Sequence, residues 1–252
     1  MVPTYNEAQN VGRLLQSLLK SLRAATRTFA VLVVDDGSPD GTGELVDAAA
    51  AVHPEVRVLH RHAKAGLGAA YLAGFEEALR GGATRVVQMD ADLSHDPRAV
   101  PALLRAAEGA ELVLGSRYVA GGATPDWPLS RRLISRSGCM YARRMLGLGL
   151  HDLTGGFKCW DARLLRRVVA EGIESQGYVF QVEMTFRALQ LGAAVREVPI
   201  VFHDRRAGAS KMSSDVVLEA VLEVPRLRRA RRPAVQPAAV APTALTASSA
   251  AS

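Results

Sequence analysis

Arg85-Val86-Val87-Gln88-Met89-Asp90-Ala91-Asp92 is the stretch on which the fold of this chain is decided. An apolar run of strand length ends in two carboxylates one residue apart. A second run, Ala30-Val31-Leu32-Val33-Val34, ends the same way, in Asp35-Asp36-Gly37-Ser38. Open α/β sheets bind their ligands beyond the carboxyl ends of the strands. Two such ends carrying carboxylates point to a site for a nucleoside diphosphate and a divalent metal, as in an enzyme acting on an activated sugar.

The flanking sequence alternates between strand and helix signals. A short strand is expected at Met1–Pro3, then a helix over Ala8–Ala24 with Val11, Leu14, Leu15, Leu18 and Leu22 on one face. A strand over Phe29–Val34 leads to a helix over Gly41–Ala51, which Ser38 or Asp40 can cap. Val56–Leu59 reads as a strand and Leu67–Arg80 as a helix stopped by Gly81-Gly82. After the strand ending at Met89 come a helix over Pro97–Ala107, with Pro97 in its first turn, and the strand Leu112–Leu114. This rhythm predicts an α/β fold with a mostly parallel central sheet flanked by helices. A strand at Met1–Pro3 is short for its place and would leave neighbouring strands lacking backbone partners.

Beyond Ser116 the pattern loosens. Tyr118–Pro128 reads as a loop or lid, and Leu129–Leu146 as a cationic amphipathic helix. Asp152–Lys158 turns back toward the sheet. A helix over Tyr178–Leu191, a strand over Ala194–Val201 and a last helix over Ser213–Arg231 follow. From Pro233 the chain is almost entirely Pro, Ala, Thr, Ser and Val, without charge. We expect a catalytic domain over 1–232 and a disordered tail over 233–252.

Composition narrows the class. At 252 residues with 48% hydrophobic content, one domain with appendages is expected. No apolar run approaches the roughly 20 residues needed to cross a bilayer. The opening Met1–Glu7 already reads as domain, so no secretory signal is expected. Cys139 and Cys159 are expected to be reduced and structural, which places the chain in the cytoplasm. The formal charge is +6, concentrated at Arg131, Arg132, Arg136, Arg143 and Arg144 and again over Arg226–Arg232. Such patches suit a phosphorylated substrate or anionic lipid. No recognition helix, zinc finger or single-strand-binding signature accompanies them, so nucleic acid is not expected.

Several segments, in order, carry a resemblance. They are Val2–Glu7, Val34–Thr42, Lys64–Gly68, Gln88–Pro97, Gly115–Tyr118, Asp152–Phe157 and Phe202–Lys211. Together they resemble the family 2 glycosyltransferases with the GT-A fold, and within them the polyprenol-phosphate mannose synthases, over about residues 1–230. The resemblance implies inverting transfer of mannose from GDP-mannose to a polyprenyl phosphate at the cytoplasmic face of the membrane, with Mg²⁺ or Mn²⁺. It further implies peripheral attachment or a separate membrane protein partner. A glucose-transferring relative using a UDP-sugar, or a non-catalytic membrane-associated subunit, stands as the alternative.

The residues can be weighed against that implication. Asp90 and Asp92 are hard oxygen ligands suited to a divalent cation; the resemblance adds Ser94 as a third metal neighbour. It places Pro3, Tyr5 and Glu7 at the nucleotide wall, with Val34 and Ala91 giving mainly backbone contacts. Asp36 matches the base-recognising residue, and a carboxylate can accept from guanine N–H groups. Asp35 fits a turn cap better than a contact. Tyr5 is equally readable as packing, and Glu7 as an acid at a helix start. Arg117, Arg205 and Lys211 are expected at the donor diphosphate and Arg131 at the lipid phosphate, since arginine forks match phosphate oxygens. Asp92, Arg117, Arg131 and Arg205 form the expected catalytic set. No general base is needed, because the acceptor phosphate is already an anion. His95 reads as a turn or cap residue. Asp152 can orient a basic side chain or cap its own turn, and Glu183 can pair with an arginine or stabilise its helix. Leu129–Leu146 is either an interfacial helix or a domain helix with a wet basic face.

Overall fold

The computed structural model describes residues 1–26, 28–177, 179–204 and 223–229. The first half runs β1 (Val2–Thr4), α1 (Ala8–Ala25), β2 (Val31–Asp35), α2 (Thr42–Val52), β3 (Val56–His60), α3 (Leu67–Arg80) and β4 (Arg85–Gln88). It continues through α4 (Val100–Ala106), flanked by single 3₁₀ turns, β5 (Leu112–Ser116) and α5 (Leu129–Leu146). Then come β6 (Lys158–Asp161), α6 (Ala162–Ala170), α7 (Val179–Gln190) and β7 (Val195–Pro199). Residues 223–229 form a helical segment, α8.

β1, β2 and β3 form a parallel sheet in the order β1-β2-β3. A second sheet has the order β4-β6-β5-β7. Met1 joins the two: its N donates to Val87 O at 2.7 Å, and Met89 N donates to its carbonyl at 3.2 Å. The strand ends therefore follow one another across the molecule as β3, β2, β1, β4, β6, β5, β7. A cleft of about 580 Å³ lies beside Met1, between Phe29 and Val31 on one side and Thr84 and Val86 on the other.

The expectation of a mostly parallel sheet holds for the first sheet and is corrected for the second. β6 runs antiparallel to both its neighbours, and only β5 and β7 pair in parallel. Lys158-Cys159-Trp160-Asp161 gave no strand signal, because it begins and ends on charge and does not alternate. It is a short strand buried on both faces, so the period-2 pattern is absent. α6 also lies outside the expected elements, although its sequence carries a clear signal. Asp161 caps it through Arg163 N and Leu164 N, and Leu164, Leu165 and Val168 face inward between exposed arginines.

Helices cover both faces. α1 buries Val11, Leu14, Leu15, Leu18, Leu19 and Leu22, the i, i+3, i+4 spacing of a core-facing stripe. Each such side chain stabilises by about 1.5–3 kcal/mol relative to exposure. With α4 this stripe encloses Met89, Leu103 and Val113. On the other face α3, α6 and α7 enclose Tyr71, Phe75, Trp160 and Phe180, joined by Val224 and Leu227 of α8. α3 lies close on the sheet because Gly74 has no side chain: a Cβ there would sit 2.8 Å from Val34 Cγ2. The rest of the expected last helix, and the expected tail over 233–252, lie outside the described residues.

Candidate active site

The ends of β2, β1 and β4 and the start of β6 open on one cleft of about 230 Å³. Pro3 enters it from within β1, Tyr5 and Glu7 after β1, Asp36 after β2, and Asp90, Ala91 and Asp92 after β4. Lys64, Gly156 and Gln181 also line it, and none of these three was singled out for the site from the sequence.

At the β2 end, Asp36 accepts from Arg61 Nη1 and from Ala65 N at 3.1 Å. Lys64 Nζ stands 4.1 Å over the Tyr5 ring, a cation–π distance. Both basic residues sit just past β3, a signal available in the sequence. Asp35 turns inward, accepting from Thr4 Oγ1 at 3.2 Å, Ser38 N at 3.1 Å and Ser38 Oγ at 2.6 Å. Asp40 ties two helix starts together by accepting from Thr42 N at 3.1 Å and Ala8 N at 3.0 Å. Glu7 occupies the N-cap position of α1, and its Oε2 accepts from Asn10 Nδ2 at 2.7 Å. Val34 lies beneath this end, fully buried within β2.

At the β4 end, Asp90 Oδ1 accepts from Tyr71 OH at 2.9 Å. Tyr71 is buried and stacked on Phe180 and Phe75, with centroids 5.6 and 5.9 Å away. Burial, reinforced by Asp90, raises the phenol well above its ordinary value, so it remains a donor. Asp92 Oδ1 accepts from Ser94 N at 3.0 Å and Ser94 Oγ at 2.5 Å. Ser94 is buried and braces Asp92; it is not among the residues lining the cleft. Between them Leu93 has φ of 61°, a left-handed conformation that strains a bulky residue.

His95 is buried between Phe157 and Phe202, each 5.1 Å away by centroid. Asp90 N donates to its Nδ1 at 3.2 Å, which puts the ring proton on Nε2. Burial lowers its pKa, so the ring is a neutral strut for the acidic turn.

Asp90 and Asp92 suit a divalent cation. Both are hard oxygen donors at the cleft, and the Asp90 side chain is 32% exposed. Gly156 leaves the space beside them open: a Cβ there would lie 3.1 and 3.2 Å from the two Asp90 oxygens. Among the described residues no group of three or more His, Cys, Asp or Glu side chains is arranged around a metal position. Two carboxylates completed by water and substrate oxygens is an ordinary Mg²⁺ arrangement.

Arg117 and Arg131 are not brought onto the cleft lining. Arg117 is buried and forms a two-pronged pair with Asp152, Nε to Oδ2 and Nη2 to Oδ1, both at 2.7 Å. Nη2 also donates to Thr154 Oγ1 at 2.9 Å. Burial disfavours both charges, and each ion offsets that for the other: Arg117 is raised and Asp152 lowered from their ordinary values. Asp152 thus orients a basic side chain, one of its two readings from the sequence. Arg131 Nη1 donates to Asp204 Oδ1 at 2.8 Å and its guanidinium lies 4.2 Å over Trp127. Glu183 pairs with Arg187 at 3.3 Å and accepts from Ser175 N at 2.8 Å. Arg205 and Lys211 lie outside the described residues.

The acidic turn is fastened to the segment after β7. His203 N donates to Ser94 O at 3.1 Å, and His95 forms an isolated bridge with Phe202. Farther out, α5 exposes Leu129, Leu133, Met140, Arg136 and Arg144 along one stripe. Leu146 of the same helix is buried and Tyr141 packs against the core.

Parallel strands ending in carboxylates, with a cleft across their tips, define an α/β protein of GT-A-like fold. The family described as glycosyl transferase family 2 matches residues 1–169, and the chain belongs to it. It is 50% identical over 232 residues to an undecaprenyl-phosphate mannosyltransferase of Micrococcus luteus, covering 92% of this chain and 94% of that one. It is 45% identical over 239 residues to a polyprenol monophosphomannose synthase of Mycolicibacterium smegmatis, covering 92% and 89%. Among solved structures, glucosyl-3-phosphoglycerate synthase of Mycobacterium tuberculosis with Mn²⁺ and UDP-glucose matches with a TM-score of 0.63 at 22% identity, covering 92% of this chain and 78% of that one. At that identity the likeness concerns the fold.

Proposed function

We propose that this protein transfers mannose from GDP-mannose to a polyprenyl monophosphate, with inversion, giving polyprenyl phosphate mannose and GDP. The observation that carries this reading is the meeting of Asp36, Tyr5 and Lys64 with Asp90 and Asp92 in one cleft. Two relatives at 45–50% identity, a mannosyltransferase and a phosphomannose synthase by name, support the sugar and the lipid acceptor.

The base lies at Asp36 and Tyr5, and Lys64 adds positive charge at that end. Asp90 and Asp92 would hold Mg²⁺ or Mn²⁺, which when bound neutralises charge on the diphosphate. A phosphate oxygen of the acceptor attacks the anomeric carbon from the opposite face. The bond from that carbon to the diphosphate breaks, and its electrons leave with GDP. No proton need move, so the neutral, buried His95 serves structure. Arg117 acts by holding the Thr154 loop, through Asp152, against the cleft. We assign Arg131, which lies beside Trp127 and Asp204, to the lipid phosphate. Arg205 and Lys211 belong to the same phosphate-handling set.

The exposed leucines and arginines of α5 support peripheral contact with an anionic membrane face, which we take to be cytoplasmic. No helix among the described residues is long and apolar enough to cross a membrane. A separate membrane protein partner is compatible with this arrangement.

The test is transfer of labelled sugar from GDP-mannose and, separately, UDP-glucose to polyprenyl phosphate, with Mg²⁺, Mn²⁺ or chelator. Metal-dependent mannolipid from GDP-mannose is the expected product. Glucolipid from UDP-glucose alone would overturn the donor.

A further inference from the structure

Gln181 lines the cleft although only 3% of it is exposed. Its amide has a forced orientation. Trp160 Nε1 can only donate, and it donates to Gln88 Oε1 at 2.7 Å. Gln88 must therefore present Nε2, which donates to Gly156 O at 3.1 Å and to Gln181 Oε1 at 2.9 Å. Gln181 has its oxygen committed in this way and its Nε2 left over. That Nε2 is buried and has no hydrogen-bond partner among the described residues. The main chain is fixed as well, since Lys158 Nζ donates to Gln181 O at 2.7 Å and to Thr185 Oγ1 at 2.9 Å.

A buried amide N–H without an acceptor is unfavourable, and natural proteins rarely leave one unexplained. Strand order says what can fill the gap. Asp36 follows β2, Tyr5 follows β1, Asp90 and Asp92 follow β4, and Gly156 precedes β6. A nucleoside diphosphate sugar with its base at Asp36 and its diphosphate at Asp90 and Asp92 spans β2, β1 and β4. Its sugar then falls at the next position, over Gly156 and Gln181.

We propose that Gln181 Nε2 donates a hydrogen bond to a hydroxyl oxygen of the transferred hexose and thereby selects the sugar. Trp160 and Gln88 act as positioning residues that aim this amide. The inference rests on the donor reading given above. A site built to hydrogen-bond a hydroxyl rejects the analogue that lacks it more strongly than a site that merely accommodates shape.

The experiment compares wild-type protein with Gln181→Met, of similar length but without donors. Each is given GDP-mannose and its 2-, 3-, 4- and 6-deoxy analogues, and binding of GDP alone is measured by calorimetry. Wild type is expected to lose about tenfold or more in kcat/KM for one deoxy donor. Gln181→Met should use that analogue and GDP-mannose within about twofold of each other, with GDP affinity unchanged. Retention of the wild-type preference against every analogue by Gln181→Met overturns the proposal. So does a fall in GDP affinity matching the fall for GDP-mannose, which marks a structural role. Gln181→Glu keeps the acceptor for Gln88 and removes the donor, so it answers the same question if the methionine variant does not fold. If wild type turns over only UDP-glucose, the donor reading fails by itself, and the deoxy series of that donor tests Gln181. If neither donor is turned over, the difference in affinity between GDP and GDP-mannose, wild type against Gln181→Met, decides it.

Discussion

The two sides of β4 treat charge in opposite ways. Where the first sheet meets β4, a carboxylate is brought to the surface of a cleft: Asp90 lines it and stays partly exposed. Around β5 and β6 ionisable groups are sealed in. Arg117 and Asp152 are buried in a closed pair, and Lys158 is buried against Gln181 O and Thr185. An unpaired buried charge is far more costly than a paired one, so closed partnerships belong to scaffolding. Charge left facing open space belongs to a ligand. The same residue types therefore do different work on the two sides of β4.

The sharpest way to break this contrast is to neutralise the cleft. Asp90→Asn or Asp92→Asn should cut sugar transfer by roughly 10³-fold, consistent with several kcal/mol of lost charge stabilisation. Melting temperature should move by only a few degrees. Transfer assays and thermal melts on the same samples check this; a collapse of folding would mean the cleft carboxylates are scaffolding too. Asp152→Ala should do the reverse. Leaving Arg117 buried without its partner costs about 3–5 kcal/mol, measurable by urea unfolding. Arg117→Met combined with Asp152→Leu should recover most of that stability. A smaller effect is expected for Asp36→Asn: about a tenfold rise in donor KM with kcat little changed, as for one charge-assisted hydrogen bond.

A last effect concerns pH. Burial lowers the Lys158 amine to about 7 from an ordinary 10.5, and Asp152 opposes this only in part. Between those values the unfolded chain holds a proton that the folded chain lacks, so stability rises with pH across that window. Below about 7 the charged amine is buried at full cost. Lys158→Met should flatten this dependence, its stability relative to wild type being highest below 7 and declining toward 10.5. Unfolding curves at a series of pH values would show it; parallel profiles for the two proteins would refute it.

Much of the fold was legible because the first half is built from local signals. The bounds of α3 and α5, Leu67–Arg80 and Leu129–Leu146, were read correctly from a glycine stop and an amphipathic pattern. Asp36 and Asp90 could be grouped because each follows an apolar strand, whereas Tyr5 joined them only through the family resemblance. β6 was invisible because a strand buried on both faces has no alternation to read. Its position decided the rest. β6 enters between β4 and β5, and so brings Gly156 against Asp90 and Gln88 against Gln181, a pair 93 residues apart. The partners of Arg117 and Arg131 are likewise 35 and 73 residues away. An arginine at a motif position looks the same in sequence whether it meets a phosphate or a buried aspartate.

Leu93 has one more consequence. Its left-handed backbone stores about 1–2 kcal/mol, and its side chain is seated against the core that holds Met89, Val100 and Phe157. The acidic turn is thus a bent hook with its shank clamped. A breeder of hardier variants would find Leu93→Gly attractive, since glycine takes that bend freely. The same change would unclamp the hook, so the relief of strain would come with lost core contact and with slack in the two carboxylates that precede it.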